Sequence, residues 1–118
     1  ANVVAFIFTA AATFLTVWST WSNKWFSGMV RIQSDRDHKV ASGGPYRFVR
    51  HPAYLGGILL YLSLPVALGS LAGLIGSAFL AVAFVARTSL EDRFLQRELD
   101  GYAAYALCVR YRLIPFIW

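Results

Sequence analysis

Charged residues are scarce in this chain, and two long stretches have none. Asp, Glu, Lys and Arg make up 14% of the 118 residues, whereas soluble domains contain about 25%. Residues 1–22 and 53–86 contain no charged side chain at all. This pattern excludes an ordinary soluble domain and predicts a membrane protein.

Cysteine and potential metal ligands are also few. The single Cys108 cannot form an intrachain disulfide, so it gives no sign of an oxidising compartment. No second His, Cys or carboxylate lies at ligand spacing from His38, so we predict no metal site. No Lys or Arg precedes the first apolar run, which argues against a signal peptide.

The length predicts one domain over residues 1–118. The chain starts at Ala1, directly inside an apolar run. We interpret this start as a cut and expect further residues upstream.

The basic residues predict an orientation in the membrane. All eleven Lys and Arg lie within residues 24–50 and 87–112, next to the apolar stretches. Such placement is typical of cytoplasmic loops, so both basic segments are predicted to be cytoplasmic. Because these residues are predicted to lie at the bilayer surface, we do not expect nucleic acid as a partner.

We therefore predict an all-α, polytopic membrane protein with three transmembrane helices, at about residues 2–22, 53–66 and 70–88. Pro65 and Gly69-Ser70 interrupt the long apolar stretch, which predicts a helical hairpin. The amino terminus would lie outside and the carboxy terminus inside. Small residues in the returning helix are predicted to support close helix packing, namely Gly69, Ala72, Gly73 and Gly76.

Segments at the membrane surface complete the predicted architecture. An aromatic belt is expected at the end of the first span, formed by Trp18, Trp21, Trp25 and Phe26. A cytoplasmic connector is predicted over residues 31–50, with a turn at Gly43-Gly44-Pro45. The returning helix is expected to continue over 87–99 with Leu90 and Phe94 on one face. A C-terminal interfacial helix is predicted over 102–111, anchored by Tyr102, Tyr105 and Tyr111 and followed by Pro115.

The first candidate site is the segment GPYRFVRHPAYLGG, residues 44–57. Pro52 suits the first turn of a helix, where N–H groups without partners attract a carboxylate or phosphate. Two arginines, two tyrosines and a pair of glycines surround this corner: Arg47, Arg50, Tyr46, Tyr54, Gly56 and Gly57. The alternative is that the arginines hold lipid phosphates and that His51 caps the helix.

The second candidate feature is the acidic pair Glu91-Asp92. Adjacent helical positions point about 100° apart, so the two carboxylates cannot address one atom equally. The alternative is an Arg87–Glu91 pair on the helix surface with Asp92 facing water. Because a hairpin returns to the side from which it left, residues 46–56 and 87–95 are expected to be neighbours. A pocket between them would suit a zwitterion with a cationic centre.

These two segments together resemble the isoprenylcysteine carboxyl methyltransferase family, in a superfamily that includes the phospholipid methyltransferases. The resemblance covers about residues 31–118. It rests on an Arg-His-Pro-x-Tyr-x-Gly motif, an acidic pair and a tail, here Arg50, His51, Pro52, Tyr54, Gly56, Glu91, Asp92, Gly101, Tyr105, Arg110 and Pro115. The family usually has Glu-Glu at the acidic pair, so Asp92 is a departure.

The resemblance implies S-adenosylmethionine as cofactor, bound on the cytoplasmic side of an integral membrane protein. It assigns cofactor binding to Tyr46, His51, Pro52, Tyr54, Leu55, Gly56, Glu91 and Asp92. A lipophilic or lipid-modified acceptor would approach through the membrane lipids. If the acceptor is a carboxylate, Arg50 and Arg110 would hold it as catalytic residues. If it is an amine, His51 or Glu91 would take its proton.

Three alternatives to isoprenylcysteine-type carboxyl methylation remain open from the sequence. The first is N-methylation of a phospholipid amine. The second is reduction of a sterol-like double bond. The third is a membrane protein that binds anionic lipid at its basic segments and catalyses no reaction.

Overall fold

The computed structural model describes residues 2–23, 42–114 and 117–118. Within these ranges the chain is helical and contains no strand. The elements are α1 (Asn2–Ser22), a 3₁₀ helix (Gly44–Arg47), α2 (Pro52–Ala67), α3 (Leu71–Glu98) and α4 (Tyr102–Cys108). Several predicted features lie outside the described residues: Trp25 and Phe26 of the aromatic belt, residues 31–41 of the connector, and Pro115.

Helix α1 agrees with the first predicted span. It carries no charge, and most of its large apolar side chains are exposed, as expected for a surface that faces lipid. Its hydroxyls turn back onto the carbonyl oxygens four residues earlier, for example Thr13 Oγ1 to Thr9 O at 2.8 Å and Ser19 Oγ to Leu15 O at 2.7 Å. Such bonds satisfy polar side chains where no water is present.

Helices α2 and α3 form the predicted hairpin. Pro65 is tolerated near the end of α2, and the chain turns at Gly69, whose φ of 69° is in the left-handed region. Ser70 then caps α3, because its side chain accepts a hydrogen bond from the N–H of Gly73 at 3.0 Å. The return helix is longer than the predicted span, since α3 continues without interruption for 28 residues.

Gly56 sets the distance between α1 and α2. A Cβ added at Gly56 would lie 3.0 Å from the backbone nitrogen of Thr16 and 3.2 Å from the carbonyl oxygen of Ala12, and it would clash with Thr16 Oγ1. Only glycine therefore allows this approach. Nearer the other end of the two helices, Thr9 Oγ1 and Ser63 Oγ share a hydrogen bond of 2.9 Å.

The packing predicted for the glycines around the start of α3 is found at Gly73 but not at Gly69 or Gly76. A Cβ added at Gly73 would lie 3.2 Å from the Cβ of Pro65 in α2, so this glycine allows a close approach of the two helices. A Cβ added at Gly69 or Gly76 would meet nothing within 4 Å.

The C-terminal half of α3 buries polar residues, and Leu90 of the predicted apolar face is exposed. Leu90 is 65% exposed, whereas Thr88 and Asp92 are completely buried. Gly101 follows the helix with a φ of 85° and serves as the N-cap of α4. The prediction that Tyr102 anchors an interfacial helix at the surface was wrong, because Tyr102 is only 4% exposed and packs inward.

Among the residues that the structure describes, two helices are long and apolar enough to cross a membrane, with spans at Val3–Ser22 and Leu71–Glu98. Helix α2 is apolar but shorter, at 16 residues.

Candidate functional site

Asp92 is the centre of a buried polar cluster, and no part of it is exposed. Its Oδ1 lies 3.0 Å from His51 Nε2 and accepts a hydrogen bond of 2.8 Å from the Tyr102 hydroxyl. Its Oδ2 accepts hydrogen bonds from Gln96 Nε2 at 2.7 Å and Arg112 Nε at 3.1 Å, and it forms an ion pair with Arg50 Nη2 at 3.1 Å. We call these six residues the Asp92 cluster.

Backbone bonds fix two of the cluster residues before α2 begins. The N–H of Arg50 donates to the carbonyl oxygen of Tyr111 and that of His51 to the carbonyl oxygen of Arg112, both at 2.8 Å. Pro52 then starts α2, as predicted, because proline lacks an N–H and its φ suits a first turn. The C-terminal segment is thereby held against the Arg50-His51 corner.

The side chain of His51 does not cap α2. Its Nε2 faces the Asp92 carboxylate, so we assign the ring proton to Nε2. Nδ1 makes no hydrogen bond within the described ranges. His51 thus occupies the N-cap position of α2, as considered from the sequence, but its side chain makes no capping hydrogen bond.

A second, smaller network lies beside the cluster around Tyr54. The Tyr54 hydroxyl donates to Glu91 Oε2 and accepts from Arg87 Nε at 2.9 Å. The Tyr54 ring lies 5.9 Å from the His51 ring, and the Arg87 guanidinium lies 5.7 Å from the Tyr54 ring. The two neighbouring carboxylates thus have different partners, as the 100° helical step requires.

Burial keeps the phenols at the cluster protonated. It raises the pKa of Tyr102 above its usual value, and the nearby Asp92 carboxylate raises this pKa further. Burial also raises the pKa of Tyr105 and of Tyr46. The Tyr105 hydroxyl therefore stays a donor, and it bonds the carbonyl oxygen of Tyr46 at 2.5 Å. This bond ties α4 to the 3₁₀ helix.

The structure brings some of the sequence-predicted residues together and separates others. Residues 46–56 and 87–95 are neighbours, as the hairpin argument predicted, through the contacts of Tyr54 and His51. Asp92 does not face water, so the surface alternative for this residue is wrong. Gly56 lies in the α1–α2 contact. Arg110 is exposed and makes no hydrogen bond or ion pair within the described ranges.

The sequence analysis missed several members of these networks: Arg87 as a partner of Tyr54, and Gln96, Tyr102 and Arg112 as partners of Asp92. No sequence feature distinguished Arg112 from Arg110, because both lie outside a helix and no hydrophobic periodicity indicates which side chain points inward. Tyr102 was identified, but as a surface anchor.

Arg50 has one feature that the cluster does not satisfy. Its side chain is 7% exposed, yet its Nε is buried without a hydrogen-bond partner among the residues that the structure describes. Buried donors of this kind are rare in folded proteins. The cluster thus has more donor capacity and more positive charge than Asp92 alone can satisfy.

The sequence model of one protein family, described as phospholipid methyltransferase, matches residues 1–100. This range includes Arg50, His51, Tyr54, Glu91 and Asp92. The match confirms the resemblance to the superfamily of integral membrane methyltransferases. No curated protein matches the chain.

Proposed function

Because the chain belongs to the phospholipid methyltransferase family, we propose that it transfers a methyl group from S-adenosylmethionine to a lipophilic acceptor. The observation that supports this most strongly is the meeting of two walls at the water-side end of the α2–α3 hairpin. One wall is the Arg50-His51-Pro52 corner, and the other is the Glu91-Asp92 pair.

The two walls suit a cofactor that has both an ammonium group and a sulfonium centre. Glu91 offers a carboxylate to a cationic group. The first turn of α2 has N–H groups without intrahelical acceptors, which favour an anionic group. We assign direct contacts to His51, Tyr54, Glu91 and the side chain of Leu55, because the Leu55 N–H already donates to the carbonyl oxygen of His51 at 3.2 Å.

The remaining predicted cofactor residues act through packing. Both Asp92 oxygens accept bonds from the protein, and Gly56 contacts α1. Tyr46 and Pro52 are buried, and they shape the corner. We propose that these four residues hold the contacting groups in place.

S-adenosylmethionine supplies a methyl group that its sulfonium already activates. The protein residues then align the acceptor and exclude water from the reacting atoms. A carboxylate acceptor is already ionised, so it needs an arginine but no base. An amine acceptor must lose a proton first, and His51 or Glu91 would accept it.

We favour a carboxylate of the isoprenylcysteine type, because the Asp92 cluster contains more guanidinium than carboxylate charge. Arg50 and Arg110 remain the sequence-based candidates for holding this group. N-methylation of a phospholipid amine is the second candidate, and the description of the matched family favours it.

For the membrane arrangement we propose three crossings by α1, α2 and α3, with the amino terminus outside and the site facing the cytoplasm. Helix α2 has 16 residues, and at 1.5 Å per residue it spans about 24 Å. This is less than the ~30 Å hydrocarbon core. We therefore expect its first turn, with the site, to lie at the head-group level. The basic segments favour this orientation.

Binding of S-adenosylmethionine to the detergent-solubilised protein tests the cofactor assignment. We expect saturable binding by wild type and its loss in His51→Ala and Glu91→Ala. Glu98→Gln is the matched control, because Glu98 is exposed on the same helix. Wild-type protein that is folded but does not bind contradicts the cofactor assignment. If the protein only binds anionic lipid, vesicle binding should fall with salt and be insensitive to S-adenosylmethionine.

Methyl transfer from labelled S-adenosylmethionine to two acceptors then distinguishes the substrates. An S-prenylated N-acetylcysteine tests carboxyl methylation, and phosphatidylethanolamine tests amine methylation. Label in a base-labile methyl ester supports the first candidate. Label in a base-stable head group supports the second.

A further inference from the structure

We infer that Arg112, oriented by Asp92, forms a subsite for the carboxylate of a ligand. The sequence analysis assigned such a role to Arg50 and Arg110, but the geometry favours Arg112. The inference depends on the proposed function only for the identity of the ligand.

The first argument is charge balance within the Asp92 cluster. The guanidinium groups of Arg50 and Arg112 both lie 3.1 Å from the same carboxylate oxygen, Asp92 Oδ2. One negative charge therefore faces two positive charges in a site where Asp92 is fully buried and Arg50 is 7% exposed. The charge of Arg50 is shielded from water and is costly unless an anion compensates it. Asp92 therefore serves Arg50 first, and the more exposed Arg112 keeps positive charge that a ligand can meet.

The second argument is that neighbouring acids are already engaged. Glu91 accepts from the Tyr54 hydroxyl, which in turn accepts from Arg87. Within the described ranges, Asp92 is the only carboxylate that forms an ion pair with Arg112. The compensating anion is therefore expected from a ligand.

The third argument is the orientation of the Arg112 side chain. Its Nε is used by Asp92, and its guanidinium lies 5.0 Å from the Trp118 ring. These two contacts fix the orientation of the guanidinium group. Its terminal nitrogens, Nη1 and Nη2, have no partners among residues 2–23, 42–114 and 117–118. Arg112 is 24% exposed, so these nitrogens are accessible to a ligand. A fixed guanidinium fork matches the geometry of a carboxylate.

Arg50 and Arg110 fit this role less well. Arg50 is almost fully buried, and its Nη2 is bound to Asp92. Arg110 is exposed and has no contact within the described ranges that would orient it. In this arrangement Asp92 is a positioning residue, because it acts on the ligand through Arg112.

The carboxylate has two possible sources, which ligand analogues separate. The first is the methionine part of S-adenosylmethionine, and the second is a carboxylate acceptor. Decarboxylated S-adenosylmethionine keeps the adenosine, the sulfonium and the amine, and it lacks only the carboxylate.

If the cofactor is the source, Arg112→Gln weakens S-adenosylmethionine binding by about 10- to 100-fold. Binding of the decarboxylated analogue stays unchanged. If the acceptor is the source, both affinities stay at wild-type values, and the KM for a prenylated cysteine rises instead. Arg112→Lys restores only part of the loss, since it keeps the charge without the fork.

Two further variants and one simple anion complete the design. Arg97→Gln removes an exposed charge at the end of α3 and is expected to change neither affinity. Arg110→Gln compares the two C-terminal arginines directly. Acetate alone tests the subsite without any cofactor, and it should raise the Tm of wild type but not that of Arg112→Gln.

The subsite is refuted if Arg112→Gln weakens both nucleoside ligands equally, because the residue is then only structural. It is also refuted if the selective loss appears in Arg110→Gln, or if acetate stabilises wild type and Arg112→Gln alike. Failure of wild type to bind S-adenosylmethionine contradicts only the proposed cofactor, and the acetate comparison still decides the subsite.

Discussion

Replacing Asp92 by Asn removes the charge of the cluster while keeping its shape. Arg50 and Arg112 then lose their carboxylate, and His51 and Tyr102 face an amide. Breaking a buried ion pair by removing one partner costs about 3–5 kcal/mol. Since ordinary domains are stable by about 5–15 kcal/mol, we expect Asp92→Asn to unfold much more easily than wild type.

Glu91→Gln is the matched control, one residue away on the same helix. Glu91 is only partly buried, and it accepts a hydrogen bond from a neutral donor, the Tyr54 hydroxyl. A glutamine oxygen can still accept that bond, so we expect a loss of about 1 kcal/mol. Unfolding in detergent, followed by circular dichroism, compares the two variants. An Asp92→Asn variant that is no less stable than Glu91→Gln would show that Asp92 does not organise the site.

Three further predictions concern the scaffold. Gly56→Ala should force α1 away from α2 and cost about 1–3 kcal/mol. Gly76→Ala, which meets nothing within 4 Å, should not destabilise the protein in the same unfolding assay and should stabilise it by up to about 1 kcal/mol. Ser70→Ala should cost about 1 kcal/mol, because the cap of α3 is lost, while Ser70→Asp should retain most of it. Alkaline pH should destabilise the fold: burial raises the pKa of Tyr46, Tyr102 and Tyr105 above 10.0, so the stabilisation is fully present below about pH 10 and is lost as the pH rises. The pH dependence of unfolding, compared with that of Tyr102→Phe, checks this sign, and an equal slope in both proteins would contradict it.

The fold could largely be predicted because its causes are local. The charge-free runs predicted α1 and the hairpin, because a single segment in lipid must form its own backbone hydrogen bonds, as a helix does. Pro52 marked the start of α2, and Gly69-Ser70 marked the turn, because each residue restricts its own backbone. Even the proximity of Glu91 to Tyr54 followed from hairpin geometry.

The partners within the site depended on contacts between distant segments. The chain alone could not show that Asp92 is buried, because an acidic residue is normally placed at the surface unless its partners are known. Those partners come from the start of α2, from α4 and from the C-terminal segment. The choice between Arg110 and Arg112 likewise depends on backbone pairing with residues 50 and 51.

Composition and local backbone preferences thus determined that this chain is a helical membrane protein with a polar corner at the end of a hairpin. The tertiary structure decided which side chains meet at that corner. It placed Gly56 against α1 and turned Asp92 inward, toward two arginines. The physical reason is that a buried charge is stable only where several donors converge on it, and these donors lie far apart in the sequence.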